Sequence, residues 1–166
     1  MKDILVISAS FRCDKQGFTV DEPVWSRVDE AIDCVFEYGG SVTLTSASTD
    51  IDIPDRYREF DRIVIEANVE RYRFIVFPQE EIVAGKFNYR EWWQPGDLPY
   101  QGTEEFNDHP WDTRTVCTDI AIAKAFFKDF FDHKGLTDFI IENTLWCGDN
   151  PRTRERALNI GQFANP

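Results

Sequence analysis

The sequence lacks the motifs and segments that identify most enzymes and membrane proteins. No apolar run approaches the roughly 20 residues that a helix needs to cross a bilayer. There is no glycine-rich phosphate-binding motif of the G-x-G-x-x-G or G-x-x-x-x-G-K-[ST] type, and no G-x-S-x-G motif of serine hydrolases. The two histidines, His109 and His133, do not stand near a serine. The sequence therefore predicts no catalytic residues.

Basic residues are scarce. The 166-residue chain has 18 Lys and Arg against 30 Asp and Glu, so its formal net charge is −12. Because phosphate affinity is supplied mostly by Lys and Arg, this balance argues against binding to nucleic acid or to an anionic membrane. The short apolar stretch at the start is soon followed by an Arg, an Asp and a Lys, which is typical of a first strand rather than of a signal peptide.

Cysteine is sparse, and no two cysteines form a C-x-x-C pair. The four are Cys13, Cys34, Cys117 and Cys147. In a chain without an export signal, this usage predicts reduced and mostly buried thiols. We therefore expect a cytoplasmic protein.

The composition is sufficient for a folded domain. Of all residues, 42% are apolar and 14% are aromatic, which favours a globular over a disordered chain. The length predicts one domain, and no linker, repeat or low-complexity tract divides the chain. We therefore expect a single domain over residues 1–166.

Two segments have helical periodicity. In 22–38, apolar residues recur every three or four positions, with Asp21 as the expected cap and a Gly-Gly pair at the end. In 119–134, a second apolar stripe is rich in phenylalanine, with Thr118 as the expected cap and Gly135 as the expected terminator. The sequence therefore predicts two principal helices, at about 22–38 and 119–134.

Several other segments have the composition or the period of two that is typical of strands. They are 4–11, 41–46, 62–66, 71–77, 86–93 and 114–117, and 138–146 fits either a helix or a strand. Segment 4–11 is suited to a strand buried on both faces, and the short separation of 62–66 from 71–77 predicts an antiparallel hairpin. Because helices and strands do not alternate strictly, we expect an α+β fold with a mainly antiparallel sheet of about five to six strands.

One acidic cluster has donor atoms that suit a metal ion. Glu104, Glu105, Asp108, His109 and Asp112 bring four carboxylates and one imidazole together within nine residues. Their spacing matches neither an EF-hand loop nor the H-E-x-x-H motif. We therefore expect no metal and no cofactor.

The most unusual stretch is the base-free segment, 91–113. Its 23 residues include no Lys or Arg, whereas six are acidic and five are aromatic. Its three prolines and two glycines exclude a long helix or a central strand. Because disordered segments are poor in aromatic residues, we expect an ordered loop that is pinned by its aromatic side chains and directs its carboxylates outward.

Two interpretations of the base-free segment stay open. In the first, its tryptophans cover the sheet and its acids are solvated. In the second, it is a recognition surface, since aromatic side chains supply buried area and opposite charge steers a basic partner. The predicted partner-binding residues are Glu91, Trp92, Trp93, Asp97, Glu104, Glu105, Asp108, Trp111 and Asp112.

A small α+β domain with an acidic, aromatic loop and a late, capped, phenylalanine-rich helix over 118–135 resembles the small acidic immunity proteins that bacteria encode beside polymorphic or contact-dependent toxins. The resemblance implies a non-catalytic inhibitor. Such a protein binds a basic toxin domain, often a nuclease, in the cytosol and occludes its active site or substrate groove.

Two alternative functions are compatible with the same residues. His109 and the acids near it could line a pocket under the loop, as in an enzyme or a small-ligand-binding protein. A third function is mimicry of nucleic acid, which requires regular rows of carboxylates spaced like phosphates. A concave cavity at His109 would favour the enzyme or ligand-binding alternative.

Overall fold

The computed structural model describes residues 3–13, 16–48, 61–78, 89–96, 98–106 and 109–147. Residues 86–88 of the predicted strand 86–93 lie outside this set. The chain beyond residue 147 lies wholly outside it. Within the described residues, ten strands and three α-helices are present.

The strands are β1 (Asp3–Phe11), β2 (Phe18–Asp21), β3 (Gly40–Ser48), β4 (Asp61–Asn68), β5 (Arg71–Phe77), β6 (Arg90–Glu91), β7 (Thr103–Phe106), β8 (His109–Asp112), β9 (Val116–Cys117) and β10 (Leu145–Trp146). Eight of them form one sheet in the order β10-β6-β5-β4-β3-β1-β2, with β9 paired to β5, and β7 and β8 form a separate hairpin. All described pairings are antiparallel.

The α+β class and the mainly antiparallel sheet are thus confirmed, but the predicted strand count of five to six is too low. The additional strands, β2, β7, β8 and β10, have two to four residues each. A strand of that length shows no measurable alternation, because the side-chain period is itself two residues. Segment 114–117 is likewise only partly a strand, since a 3-10 turn at Thr113–Thr115 precedes β9.

The helices are α1 (Trp25–Tyr38), α2 (Ile120–His133) and α3 (Asp138–Glu142). The first two are the principal helices predicted at 22–38 and 119–134. The ambiguous segment 138–146 contains both structures, since α3 is followed by β10. None of the described helices is both long enough and apolar enough to cross a bilayer.

Helix α1 begins later than predicted and without the expected cap. Asp21 is the last residue of β2, where it pairs with Val6, so it cannot cap the helix. Val24 precedes the first helical residue instead, and it has no side-chain acceptor.

Both ends of α2 also differ from the prediction by one residue. Asp119, not Thr118, caps the helix by accepting a hydrogen bond from the main-chain N–H of Ala121 at 3.0 Å. Lys134, not Gly135, adopts the left-handed conformation at the other end, with φ of 56°.

The core lies between α1, α2 and one face of the sheet. In β1, Leu5 and Ile7 are buried, whereas Ser10 is exposed. The expectation that this strand is buried on both faces is therefore wrong, because the helices cover one face only. On that face, Phe74 of β5 stacks on Phe126 of α2 with ring centroids 4.4 Å apart.

No disulfide joins any two of the four cysteines. Cys34 and Cys117 are buried, and Cys13 and Cys147 are half-buried. Burial is thus complete for two of the four thiols that the sequence predicts to be mostly buried.

We expect Phe127→Ala to lower the free energy of unfolding by about 3–5 kcal/mol, because Phe127 is fully buried and its removal leaves a cavity. Phe139→Ala is the matched control, since Phe139 is 43% exposed, and it should cost about 1 kcal/mol. Urea denaturation measures both values. Equal losses would contradict this position of the core.

Candidate functional site

The base-free segment packs against the sheet face opposite the helices. Side chains alternate along a strand, so Arg73 of β5 points away from its helix-facing neighbour Phe74. The guanidinium carbon of Arg73 lies 3.4 Å from the ring centroid of Trp111 in β8. The hairpin formed by β7 and β8 therefore lies over β5 on the face that the helices leave uncovered.

Glu91 forms an ion pair in the protein interior. Its carboxylate lies 2.8 Å from Nη2 of Arg73, and the side chains of both residues are almost completely buried. Glu66 approaches the same guanidinium at 3.5 Å. Burial lowers the pKa of Arg73, and the two carboxylates oppose that shift. Glu91 thus does not face outward as expected, because it compensates a buried cation.

Asp112 is also directed inward. Its two carboxylate oxygens accept hydrogen bonds from Nε and Nη2 of Arg114 at 3.0 and 2.7 Å, and the main-chain N–H of Arg114 donates to the same carboxylate. Both side chains are buried. This bidentate interaction closes the turn after β8. The outward orientation predicted for Asp112 is therefore wrong as well.

The tryptophans of the base-free segment serve mainly as cover for the sheet. Trp92 is buried, and its main-chain N–H donates to the carbonyl of Phe74 at 3.1 Å. Trp93 is half-buried with its ring 5.3 Å from the guanidinium carbon of Arg114, and Trp111 is held on Arg73. These contacts favour the first of the two interpretations for this part of the segment.

The remaining predicted acids have different surroundings. Glu104 forms an ion pair with Arg71 at 2.9 Å. Glu105 is exposed and forms no ion pair with any described residue. Asp97 and Asp108 lie outside the described residues. Glu105 is therefore the one predicted acid that the described part of the chain leaves both exposed and without a basic partner.

His109 is exposed at the start of β8. It lines neither the cavity over β1, β2 and β3 nor the cavity between β1, β2 and α1. The described residues contain no group of three or more His, Cys, Asp or Glu side chains that could hold a metal ion.

Exposed acids gather where α1 ends and β4 turns into β5. The main-chain N–H of Glu70 donates to the carbonyl of Phe36 at 2.7 Å, which ties the turn to the last part of α1. The side-chain amide of Asn68 donates to the main-chain oxygen of Glu105 at 2.8 Å, which ties β7 to the same turn. We call the surface formed by Glu37, Tyr38, Val69, Glu70 and Glu105 the acidic end.

The acidic end combines charge with exposed apolar area. Val69 is 61% exposed and Tyr38 is 37% exposed. Glu37, Glu70 and Glu105 are exposed as well, and they form no ion pair within the described part of the chain. Apolar side chains surrounded by uncompensated carboxylates are suited to contact a basic partner.

Two arginines near these acids are bonded to other groups. Arg12 donates to the side-chain oxygen of Asn68 at 2.5 Å, and Arg71 is bound to Glu104. Both therefore have acceptors other than the three glutamates of the acidic end.

Glu70 adopts an unfavourable backbone conformation. Its φ is 59°, in the left-handed region, where a non-glycine residue costs about 1 kcal/mol or more. Asn68 pairs with Arg71, so Val69 and Glu70 alone form the turn. Two-residue turns usually contain Gly or Asn. The sequence signal of this site was therefore the Val69-Glu70 pair, an apolar and an acidic residue in a two-residue turn. No known motif includes this pair, so the sequence motifs did not indicate the site.

A family model described as "Family of unknown function (DUF6911)" matches residues 5–140. Among solved structures, the chain is similar to a hypothetical protein from Neisseria gonorrhoeae, with a TM-score of 0.51 and 11% identity over 82% of this chain and 92% of that chain. At this identity the likeness concerns the fold alone. No curated protein matches the chain.

Replacing Arg73 tests the interior ion pair. Arg73→Met should lower the free energy of unfolding by about 3–5 kcal/mol, because it leaves the carboxylate of Glu91 buried without its cation. The double variant Arg73→Met/Glu91→Met should recover most of that loss.

The matched control is Arg71→Ala, which breaks the more exposed pair with Glu104 and should cost less than about 1 kcal/mol. Urea denaturation measures the wild type, Arg73→Met, Glu91→Met, the double variant and the Arg71→Ala control, because guanidinium is a salt and would screen the ion pairs. A double variant that loses the sum of the Arg73→Met and Glu91→Met losses would contradict a coupled pair.

Proposed function

Because the chain belongs to the DUF6911 family, whose function is unknown, we propose its role from its own residues: it is a non-catalytic binding protein that docks a basic protein partner through the acidic end. The supporting observation is the clustering of exposed glutamates around Val69 and Tyr38.

The acids of the helical layer are largely compensated within the chain. Lys124 of α2 lies 2.9 Å from Asp29 and 2.8 Å from Asp33 of α1. Burial lowers the pKa of Lys124, but the two carboxylates outweigh burial and raise it above its ordinary value. Lys128 pairs with Asp132 in the same layer. Along α1 and α2, most of the negative charge outside the acidic end is thus compensated by neighbouring bases.

The proposed docking surface differs from the one predicted at 91–113. Glu105 belongs to it and Glu104 borders it through Arg71. Trp92, Glu91 and Asp112 have roles inside the protein. The base-free segment then acts chiefly as a support that holds β7 beside the turn between β4 and β5.

The resemblance to bacterial immunity proteins supplies the class of partner. In this proposal the partner is a basic toxin domain, the chain occludes its active site or substrate groove, and the complex forms in the cytoplasm. Opposite charge steers the encounter, and Val69 and Tyr38 supply the area that is desolvated on contact.

A pair of charge-reversal variants tests the site. Glu70→Lys/Glu105→Lys reverses two acids at the acidic end, whereas Asp138→Lys/Glu142→Lys reverses two exposed acids on α3. The two variants have the same net charge, so only the position of the change differs. The protein that the wild-type chain captures from its native host should also bind the α3 variant and should be lost or weakened at least tenfold with the acidic-end variant.

The captured partner is then purified, and its association rate is measured against salt concentration. The acidic-end variant should associate more slowly and with less dependence on salt. If both variants bind equally, or if the partner is acidic, the assignment of the docking surface is wrong.

Glu70 provides a second test that separates binding from stability. Glu70→Gly removes the backbone strain and should leave the free energy of unfolding unchanged or raise it by up to about 1 kcal/mol. Glu70→Gln keeps the strain but removes the charge. Both variants should weaken partner binding to a similar extent, as measured by calorimetry. Tight binding by Glu70→Gln would show that the carboxylate has no role.

A further inference from the structure

We propose that the uncovered sheet face carries a second site, which binds a small, neutral, hydroxyl-rich ligand of the saccharide or polyol class. The site is a shallow cavity of about 440 Å³, wide open to solvent, over β1, β2 and β3. This volume lies within the range of small-molecule sites. The cavity is lined neither by residues of the acidic end nor by the hairpin of β7 and β8.

Strand register explains why the floor of the cavity consists of hydroxyl groups. Ser8 of β1 pairs with Thr19 of β2 on one side and with Thr43 of β3 on the other. Ser10 pairs with Ser41 in the same way. Because cross-strand partners share a face, the register places all five hydroxyls on the side opposite the helices.

These hydroxyls have hydrogen-bonding capacity to spare. Ser8 and Thr19 are bonded to each other at 3.0 Å, and Ser10 and Ser41 at 2.9 Å. Each hydroxyl has one donor and two acceptor positions. The Ser8–Thr19 and Ser10–Ser41 hydrogen bonds therefore leave most of these positions unused. The hydroxyl of Thr43 forms no hydrogen bond with another described residue. A ligand that both donates and accepts would match this surface.

Charge restricts the ligand further. None of the described residues that line the cavity is charged, although 29% of all residues in the chain are. A phosphate or carboxylate group would meet no cation among these residues, so charge does not favour its binding here. A neutral ligand needs no counter-charge, and its hydroxyls can replace water at the unused donor and acceptor positions.

The backbone around the cavity is held by strand pairing. Its floor belongs to β1 and β3, which pair over nine residues. At the hairpin between β1 and β2, a Cβ on Gly17 would lie only 2.7 Å from the main-chain oxygen of Ala9, so the chain can approach β1 this closely only with glycine.

The experiment is a titration of the ¹⁵N-labelled full chain with glucose and with maltose, followed by amide chemical shifts. We expect saturable shifts at Ser8, Thr19 and Thr43. Thr43→Val keeps the shape of the side chain and removes its hydroxyl, so it should raise the Kd about threefold to tenfold. Thr45→Val is the matched control, since Thr45 lies on the same strand and face but does not line the cavity.

Several outcomes would overturn the proposal. They are the lack of any saturable shift with either sugar, equal weakening by Thr43→Val and Thr45→Val, and tighter binding of glucose 6-phosphate than of glucose. The Glu70→Lys/Glu105→Lys variant should bind sugar like the wild type, so this test succeeds or fails independently of protein docking at the acidic end.

Discussion

The ion pair between Arg73 and Glu91 is the interaction on which the second layer of the protein depends. Apolar packing attaches α1 and α2 to one face of the sheet, but Arg73 places a cation on the other face. Glu91 compensates that cation and Trp111 covers it, so the two ends of the base-free segment are held at the same point of β5. A charge that is costly to bury is thereby satisfied only when both ends of the segment lie at this point of β5.

The described acids of this chain occur in different surroundings. Glu91 and Asp112 are buried and bound to arginines, and the acids along α1 and α2 share lysines. At the acidic end, exposed carboxylates surround apolar side chains and form no ion pair with the described residues. Net charge alone therefore says little about where a partner would dock. The location depends on which acids the chain's own bases have already neutralised.

Long elements were predictable from the sequence, and short ones were not. The two principal helices and the hairpin of β4 and β5 have enough residues to show a period, whereas β6, β9 and β10 have two each. The inward orientation of Glu91 could not be predicted from the sequence, because its partner Arg73 is distant in sequence and the pairing depends on strand register. The acidic end depends on contacts between α1, β4 and β7, which no local pattern records. For Glu70, the sequence predicted only a place in the turn between two strands and not the left-handed backbone conformation.

The turn that carries Val69 and Glu70 is bonded through its main chain to α1 and through Asn68 to β7. Its shape is consequently fixed before any encounter. A partner would not have to spend interaction free energy on ordering a flexible loop, and fewer rotatable bonds would be frozen in the complex. In the proposed complex, such preorganisation would lower the conformational free energy lost on docking.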